Sequence, residues 1–235
     1  MALTGCTAYF KLDENTGTSC ADATGNGHNG TLAGSTAPTW ATGKKNSCVS
    51  LNGTVSGGNS SYISIPDSSD WAFGTSDFAI SMWFVINNTS GYVALFDSGH
   101  PQDKGVLIEY DISGTDLSIY FGSTGGRCRS TISLSLNTWH YLVIRKISNN
   151  VKIIIDNVQL SATNNNTNIQ NSGQIINIGR YSGGGENLSG FVDEIAIWKG
   201  NGLTQEDLNF LYNYNNGRTF PFKKGGFIPW FNSQF

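Results

Sequence analysis

The chain has 235 residues, of which 13% are charged and 29 are glycine. A chain of this length can bury one large core, and scarce charge with abundant glycine is typical of many short strands joined by turns. The net charge of -3, with no run of Lys or Arg longer than a pair, excludes the basic surface that nucleic acid or anionic lipid needs. No apolar stretch reaches the ~20 residues of a membrane-spanning helix, so no membrane insertion is expected.

Short alternating or apolar runs predict strands along most of the chain. In order they cover residues 8–12, 48–53, 62–66, 78–85, 92–96, 105–112, 117–121, 139–147, 151–155, 174–179 and 191–198. Residues 22–32 are so rich in Gly and Asn that the sequence predicts an irregular loop there. Strands that recur about every 8 to 12 residues favour an antiparallel sandwich or jelly roll.

The most apolar segment, residues 139–160, predicts a central β-hairpin. Its two β-branched and aromatic arms flank Ser148, Asn149 and Asn150, and asparagine tolerates the positive φ of a tight hairpin turn. Because both faces of this hairpin are largely apolar, the rest of the chain must supply a second layer.

A single segment, residues 204–215, is convincing as a helix. Thr204 suits the N-cap, Asp207 favours the helix dipole in the first turn, and Gly217 is expected to end the helix. A helix this short must lean on the sheets to persist.

Several pieces of sequence occur in a characteristic order. They are residues 8–14, 22–27, 30–32, 51–53 with 62–66, 77–83, 139–140 with 153–157, and 191–198 with 203–207. Together they resemble the laminin-G-like jelly-roll family of the concanavalin A-like lectin and glucanase superfamily. The resemblance implies an all-β, two-sheet antiparallel jelly-roll sandwich over residues 1–219, with six or seven strands in each sheet and one short C-terminal helix. It also implies a binding or structural module rather than an enzyme.

The end of the chain resembles copies of this fold in bacteriophage virion proteins. The pieces that carry this likeness are residues 211–213, Gly217 and residues 220–222. The likeness implies that capsid or tail proteins of a virion are the partners.

A carboxylate in the last predicted strand indicates a metal site. Period-two alternation puts Asp193 on the face of Phe191, Ile195 and Ile197, where a charged group needs a partner. Asp22 and the carbonyl-rich loop around Asn26 are a source of oxygen ligands, which suits Ca2+.

The resemblance supports the same metal, since the family often carries a structural calcium near these positions. It implies Asp22, Asn26, Asp193 and Glu194 as the ligands. The alternative is that Asp22 and Asp193 accept backbone N–H bonds at turns without a metal. The sequence leaves both interpretations open.

Hydrolysis needs a closely spaced pair of carboxyl groups. The glucanases of the superfamily use the motif E-x-D-x-E or a longer variant, and neither occurs here. Glu109 and Asp111 form the nearest imitation, and they are better interpreted as the polar end of a strand. No catalytic residue is predicted.

Sugar binding calls for an aromatic platform beside amide and carboxylate groups, because a sugar has an apolar face and a hydroxylated rim. Aromatic side chains at predicted strand ends or loops supply candidates, of which Trp40, Tyr92, His100 and Tyr181 are predicted to bind ligand. Each of them could instead serve packing. Residues 164–168 and 183–187 are predicted to be exposed loops where specificity would vary.

The last sixteen residues, 220–235, contain five Phe and one Trp, which is too apolar for a solvated tail. Phe220, Phe222, Phe227, Trp230 and Phe231 are therefore predicted to dock on a partner, either a virion protein or a second copy of the chain. A clasp across the chain's own sandwich explains the same pattern equally well.

The four cysteines match no zinc spacing, and buried thiols are favoured over a disulfide framework. The N-terminus lacks the basic and apolar regions of a signal peptide, so an exported form would lack one or have lost it. The preferred function is a non-enzymatic structural or decoration protein on the virion surface that offers its loops to host glycans. The alternatives are a secreted, extracellular carbohydrate-binding lectin and, third, a glycoside hydrolase.

Overall fold

The computed structural model describes residues 3–53, 60–100, 104–122 and 126–223. Its strands are β1 (Ala8–Phe10), β2 (Ser19–Cys20), β3 (Gly30–Gly34), β4 (Thr39–Thr42), β5 (Ser47–Leu51), β6 (Ser61–Ile65), β7 (Phe78–Ile86), β8 (Tyr92–Asp97), β9 (Val106–Asp111), β10 (Asp116–Phe121), β11 (Arg127–Thr131), β12 (His140–Ile147), β13 (Asn150–Ile155), β14 (Val158–Asn164), β15 (Ile176–Ile178) and β16 (Gly190–Lys199). One α-helix, α1 (Gln205–Tyr212), follows, and a 3-10 turn covers Ser69–Trp71. Within these residues no helix is long and apolar enough to cross a membrane.

The strands form two antiparallel sheets, which confirms the predicted sandwich. The first sheet has the order β14-β13-β12-β7-β16-β5-β4, and β1 pairs with β16 beside this path. The second sheet has the order β11-β10-β9-β8-β15-β6-β3-β2. Each sheet holds eight strands rather than six or seven, because very short strands such as β1 and β2 add to the edges.

The predicted hairpin is confirmed and is central. β12 lies between β13 and β7, and the turn between β12 and β13 places Ser148 and Asn149 at φ of 49° and 66°. Asp156 and Asn157 adopt φ of 51° and 67° in the next turn, between β13 and β14. Paired positive φ values match the right-handed twist of the flanking strands, which is why asparagine recurs at these corners.

The main core fills the space between the two sheets. It is built from alternate residues of facing strands, such as Phe84, Leu142 and Ile153 of the first sheet with Ile63, Val93, Ile108 and Ile119 of the second. Cys20, Cys48 and Cys128 are buried and Cys6 is half-buried, and all four are free thiols. Burial of this apolar surface is the main force that holds the layers together.

The outer face of the first sheet carries a second apolar cluster, and we call it the covered face. Its members include Tyr9, Trp83, Tyr141, Val143, Trp198, Leu208, Leu211 and Phe222. Leu208 and Leu211 come from α1, so the helix packs on the sheet as its short length requires. No comparable cluster forms on the outer face of the second sheet among the described residues, and we call that surface the open face.

The helix begins as predicted and ends earlier. Thr204 caps it, and Thr204 and Asp207 form a reciprocal capping box. The helix stops at Asn213, which has φ of 48°, rather than continuing to Asn215 before Gly217. The prediction of its end was wrong because asparagine can adopt the left-handed conformation that closes a helix.

Five strands, β2, β3, β4, β11 and β14, were not predicted from the sequence. Gly30–Gly34, expected to lie in an irregular loop, forms β3 and pairs with β6. β11 and β14 were missed as well, because their polar and partly exposed residues give no clear alternation. In these segments, hydrogen bonding to a neighbouring strand outweighs the weak strand preference of the local sequence.

A β-bulge at Glu194 changes the predicted facing of the last strand. The register of β16 against β7 shifts between Asp193 and Ala196, and Glu194 has φ of 52°. Asp193 lies opposite Trp83 of the covered face, while Ile195 belongs to the inner core. The predicted shared face of Asp193 and Ile195 is therefore wrong, because one extra residue inverts a period of two.

Candidate functional site

The open face has its polar side chains on β9 and β10. Ile108 and Tyr110 of β9 point into the core, so Glu109 and its alternate neighbours point outward. In the same way Leu117 and Ile119 of β10 are core residues. The alternation therefore leaves a row of acidic, hydroxyl and phenol groups on the outer face of the second sheet, where Glu109, Asp116 and Ser118 are nevertheless largely buried.

Cross-strand pairing brings these outward residues together. Ser118 lies opposite both Glu109 and Arg129, and Asp111 lies opposite both Asp116 and Tyr92. Residues directly opposite in an antiparallel pair share a face of the sheet. They line a cleft of about 200 Å³, whose walls are Tyr92, Glu109, Asp111, Asp116, Ser118, Tyr120, Arg127 and Arg129.

A chain of hydrogen bonds converges on Glu109 in this cleft. The guanidinium of Arg127 donates to the Tyr120 hydroxyl at 3.1 Å, and that hydroxyl donates to Glu109 Oε1 at 2.8 Å. Glu186 hydrogen-bonds to Glu109 from the neighbouring loop. Burial, together with the charge of Glu109, raises the pKa of Glu186 to about 8. The Glu109–Glu186 carboxyl pair therefore holds a proton between its members near neutral pH.

Asp97 fixes the two loops that border this cleft. Its Oδ1 accepts the N–H groups of Gly99 and His100, and its Oδ2 accepts the N–H and hydroxyl of Ser182. The carboxylate is fully buried. It thus sets the position of His100 and of Tyr181, which precedes Ser182.

Aromatic rings gather where these loops meet β10. The ring of His100 lies 5.4 Å from that of Tyr120 and 6.3 Å from that of Tyr181. Tyr92 stands at the other end of the cleft with 51% of its surface exposed, beside Asp111. The charge of Asp111 raises the pKa of Tyr92, which keeps the phenol protonated. The arrangement offers apolar ring faces together with hydrogen-bonding groups.

The fold and the cleft can now be set beside known proteins. A profile described as the concanavalin A-like lectin/glucanases superfamily, of the third laminin-G type, matches residues 56–209. The chain belongs to this superfamily. The family predicted from the ordered sequence pieces is thereby confirmed. The likeness to copies of the fold in bacteriophage virion proteins stays a prediction.

Solved structures share the jelly-roll fold at low sequence identity. Domain 4 of a GH43 extracellular arabinanase from Geobacillus stearothermophilus, solved in complex with arabinotriose, is 20% identical with a TM-score of 0.68. The match covers 91% of this chain and 98% of that domain. Among curated proteins no sequence relative matches.

Botulinum neurotoxin binding domains are similar in fold. The type DC domain, solved in complex with rat synaptotagmin II, is 16% identical with a TM-score of 0.68, and the match covers 89% of this chain and 51% of that one. A type C structure, reported with cell entry that depends on interaction with two ganglioside molecules, is 17% identical with a TM-score of 0.68. That match covers 89% of this chain and 51% of the other. This laminin-G-like chain therefore spans about half of those proteins, and the likeness establishes the fold alone.

The structure brings together three of the four predicted ligand residues of this laminin-G-like jelly roll. Tyr92, His100 and Tyr181 border the open face, as described above. Trp40 lies elsewhere, because β4 is an edge strand of the first sheet. Its indole N–H donates to the Gly17 carbonyl at 3.0 Å, and its ring packs partly on the core.

Several residues of the open face were not predicted from the sequence to bind ligand. They are Asp97, Glu109, Asp116, Tyr120, Arg127 and Glu186. The outward phase of β9 and β10 could have revealed Glu109, Asp116 and Tyr120, since apolar and polar residues alternate there. No local signal identifies Asp97, because its partner Ser182 is 85 positions away.

The four predicted calcium ligands fall into two pairs with different neighbours. Asp22 accepts N–H groups from Tyr9, Thr24 and His28, so both of its carboxylate oxygens are engaged. Asn26 donates its side-chain amide to the Thr7 carbonyl. The first pair thus serves the loop itself, as the metal-free alternative expects.

The second pair has unsatisfied oxygens. Asp193 is 0% exposed and Glu194 is 3% exposed. Asp193 Oδ1 and both carboxyl oxygens of Glu194 make no well-formed hydrogen bond among the described residues, although the Thr219 side chain approaches Glu194 and partly offsets the rise in its pKa. Asp193 Oδ2 accepts the N–H of Lys45 at 2.9 Å. Burial raises the pKa of each carboxyl to about 8. Hard, unsatisfied oxygens are the donors that calcium prefers, so this pair fits the metal and Asp22 does not.

No group of three or more His, Cys, Asp or Glu side chains in the described ranges is arranged to hold a metal ion. A calcium ion at the second pair would therefore need backbone or solvent oxygens as its other ligands. Calcium at Asp193 and Glu194 stays a prediction.

The described part of the C-terminal segment packs on its own domain. Phe222 is buried on the covered face, with its ring 5.1 Å from Tyr9 and 6.1 Å from Trp198, and Phe220 stacks 5.5 Å from Tyr9. These two side chains thus act as the clasp. The predicted docking residues Phe227, Trp230 and Phe231 lie outside the described residues.

Two larger clefts flank this segment. They measure about 400 and 380 Å³ and share Pro221, Phe222 and Lys223 in their walls. Neither is lined by a carboxylate among the described residues, while Lys45 and Arg218 add positive charge to the first. They lack the acidic acceptors that distinguish the open-face cleft.

Proposed function

We propose that this chain is a non-enzymatic carbohydrate-binding module that holds a glycan in the open-face cleft. The observation that supports it best is the convergence of Tyr92, Tyr120 and His100 with the carboxylates of Glu109 and Asp116 at one cleft on the outer face of the second sheet. Rings pack against the apolar face of a sugar, and carboxylates accept hydrogen bonds from its hydroxyls. The superfamily and the arabinotriose-bound neighbour point to the same class of ligand.

Binding on a glycan array, followed by calorimetry on the strongest ligands, tests this proposal. We expect Tyr92→Ala and Tyr181→Ala each to weaken binding about fivefold, since each removes one ring contact of about 1 kcal/mol. Tyr214→Ala is the matched control, because Tyr214 is 92% exposed and lies in the turn just beyond α1, the helix that packs on the first sheet. It should bind like the wild type.

The proposal fails if no glycan binds, or if the two open-face variants retain full affinity. A ligand that is lost in Tyr214→Ala but kept in Tyr92→Ala would move the site to the covered side of the molecule.

The Glu109–Glu186 pair raises glycoside hydrolysis as a second candidate. Retaining enzymes separate their two carboxyl groups by about 5 to 5.5 Å and inverting enzymes by about 6.5 to 9.5 Å. Here the two groups hydrogen-bond directly, so neither a sugar carbon nor a water fits between them. Incubation with arabinotriose and a panel of aryl glycosides should release no product, and turnover abolished by Glu109→Gln would establish an enzyme instead.

Attachment to a virion is a further candidate, and it rests on the aromatic composition of the C-terminus. Since Phe220 and Phe222 pack in cis, docking in trans would fall to residues 224–235. Their deletion should abolish co-assembly with capsid or tail proteins, or self-association, and leave glycan binding intact. An unchanged assembly state would argue for a free, extracellular lectin.

A further inference from the structure

The open face contains buried polar atoms without partners. Asp116 Oδ1, Glu186 Oε2 and His100 Nδ1 are each buried and make no hydrogen bond to any described residue. Asp116 is only 7% exposed, and it lines the cleft. Leaving such an atom unsatisfied costs about 1 to 3 kcal/mol, so a ligand that supplies the missing hydrogen bonds would gain affinity.

Of these atoms only Asp116 Oδ1 belongs to a residue that lines the cleft, so it defines what that ligand must supply. Asp116 uses its other oxygen for Arg129, and Glu186 shares a proton with Glu109. The free oxygens are acceptors, and only a hydrogen-bond donor satisfies them. A sugar hydroxyl donates, whereas an ionised carboxylate or sulfate group has no proton to donate.

Charge in the cleft acts in the same direction. Three carboxylates, Glu109, Asp111 and Asp116, line it with two guanidinium groups. Arg129 is already paired with Asp116, which leaves Arg127, whose guanidinium lies over the Tyr120 ring and donates to its hydroxyl. An anionic sugar would meet more negative than positive charge and would compete with Tyr120 for Arg127.

We infer that the open-face cleft selects uncharged, hydroxyl-rich sugars and rejects sugars that carry a carboxylate or sulfate. This inference rests on the proposed function and adds the class of ligand. Asp116 is its specificity-determining residue, since it combines a buried free acceptor with a negative charge at the cleft wall.

Matched pairs of glycans that differ only in charge test the inference. The methyl ester of 3′-sialyllactose is compared with 3′-sialyllactose itself, and fully methyl-esterified trigalacturonate with the free acid, by calorimetry on the full chain. We expect the uncharged member of each bound pair to bind at least about tenfold more tightly, because one satisfied acceptor accounts for about that factor. Arabinotriose serves as an additional uncharged probe.

Asp116→Asn removes the charge and turns one acceptor into a donor of nearly the same shape. It should weaken the uncharged sugar about tenfold and reduce the preference within each pair to less than about threefold. Asp67→Asn removes a charge from an exposed position outside the cleft and should keep the wild-type preference. Thermal melting establishes that both variants fold. The wild-type ratio of affinities for the uncharged and the charged glycan tests the inference even if a variant does not fold.

The outcomes separate the two levels of the argument. If a charged member binds as tightly as its uncharged partner, the ligand class is wrong and the carbohydrate-binding function survives. If no probe or array glycan binds, the function itself fails, and the inference with it.

Discussion

The outer faces of the two sheets differ, although both sheets are antiparallel and share one core. The first sheet points Trp83, Tyr141 and Trp198 outward, and α1 with Phe222 covers them. The second sheet points Glu109, Ser118 and Tyr120 outward, and a cleft remains there. Apolar outward residues must be covered, whereas polar ones can stay in water. The covered face therefore serves stability, and the open face is available for binding.

Each face also holds a pair of carboxyl groups in a different setting. Asp193 and Glu194 are neighbours in sequence at the bulge of β16, and three of their carboxyl oxygens are buried without a well-formed hydrogen bond among the described residues. Glu109 and Glu186 come from different elements and bond to each other beside a cleft. The first setting suits a bound cation, and the second suits a sugar.

The largest effect is expected on the covered face. Trp83→Ala should lower the free energy of unfolding by about 3 to 5 kcal/mol, because it empties the centre of the outer apolar cluster. Tyr92→Ala on the open face should change it by less than about 0.5 kcal/mol. Urea denaturation measures the free energy of unfolding of both variants. Equal losses would show that the two faces contribute equally to stability.

Calcium should stabilise the covered side only. With free calcium at about 100 times its dissociation constant, the free energy of unfolding should rise by about 2.7 kcal/mol. Asp193→Asn with Glu194→Gln should remove this gain, while Asp22→Asn should keep it, since the Asp22 oxygens are already engaged. Melting temperatures measured with calcium and with chelator test this prediction. If the melting temperature of the wild type is the same in both, the metal prediction is wrong.

Two loop-fixing carboxylates offer a matched comparison. Asp97→Asn and Asp22→Asn each weaken several hydrogen bonds to a carboxylate, and each should cost about 2 kcal/mol of stability. Only Asp97→Asn should also weaken glycan binding, because it releases His100 and Tyr181. Equal binding by the two variants would show that Asp97 has no positioning role.

The last prediction concerns pH. The pKa of Glu186 is raised to about 8 in the folded chain, so the folded state keeps a proton that the unfolded state releases above about pH 4.5. Stability then falls as pH rises from about 5 to 8 and levels off above that. Glu186→Gln removes this contribution, so the wild type should lose stability relative to the variant across that window. A parallel pH dependence of the two proteins in thermal melts would contradict the shared proton.

Local sequence was sufficient to predict most of the fold. Periodicity and turn residues were enough to predict four features correctly. They are the hairpin turn at 148–149, the helix start at Thr204, and the strands around 78–85 and 105–112. The strands at Gly30–Gly34 and Arg127–Thr131 escaped prediction, because pairing with a partner strand, rather than their own composition, makes them regular.

The site was predictable in part. Tyr92, His100 and Tyr181 were identified as aromatic residues near loops, but Trp40 had the same local signature and lies on the other sheet. Glu186 lies in a loop that was predicted to vary with specificity, but its pairing with Glu109 could not be predicted, since the two residues are far apart in the sequence.

The sequence by itself determined the two-layer antiparallel class, the main turns and the superfamily, because alternation, turn chemistry and ordered motifs are properties of neighbouring residues. Only the tertiary structure decided which outer face is covered, where Asp193 points and which loops meet at Asp97. Those features depend on strand register, on one bulge and on hydrogen bonds between distant segments, and none of these is encoded in a short window of sequence.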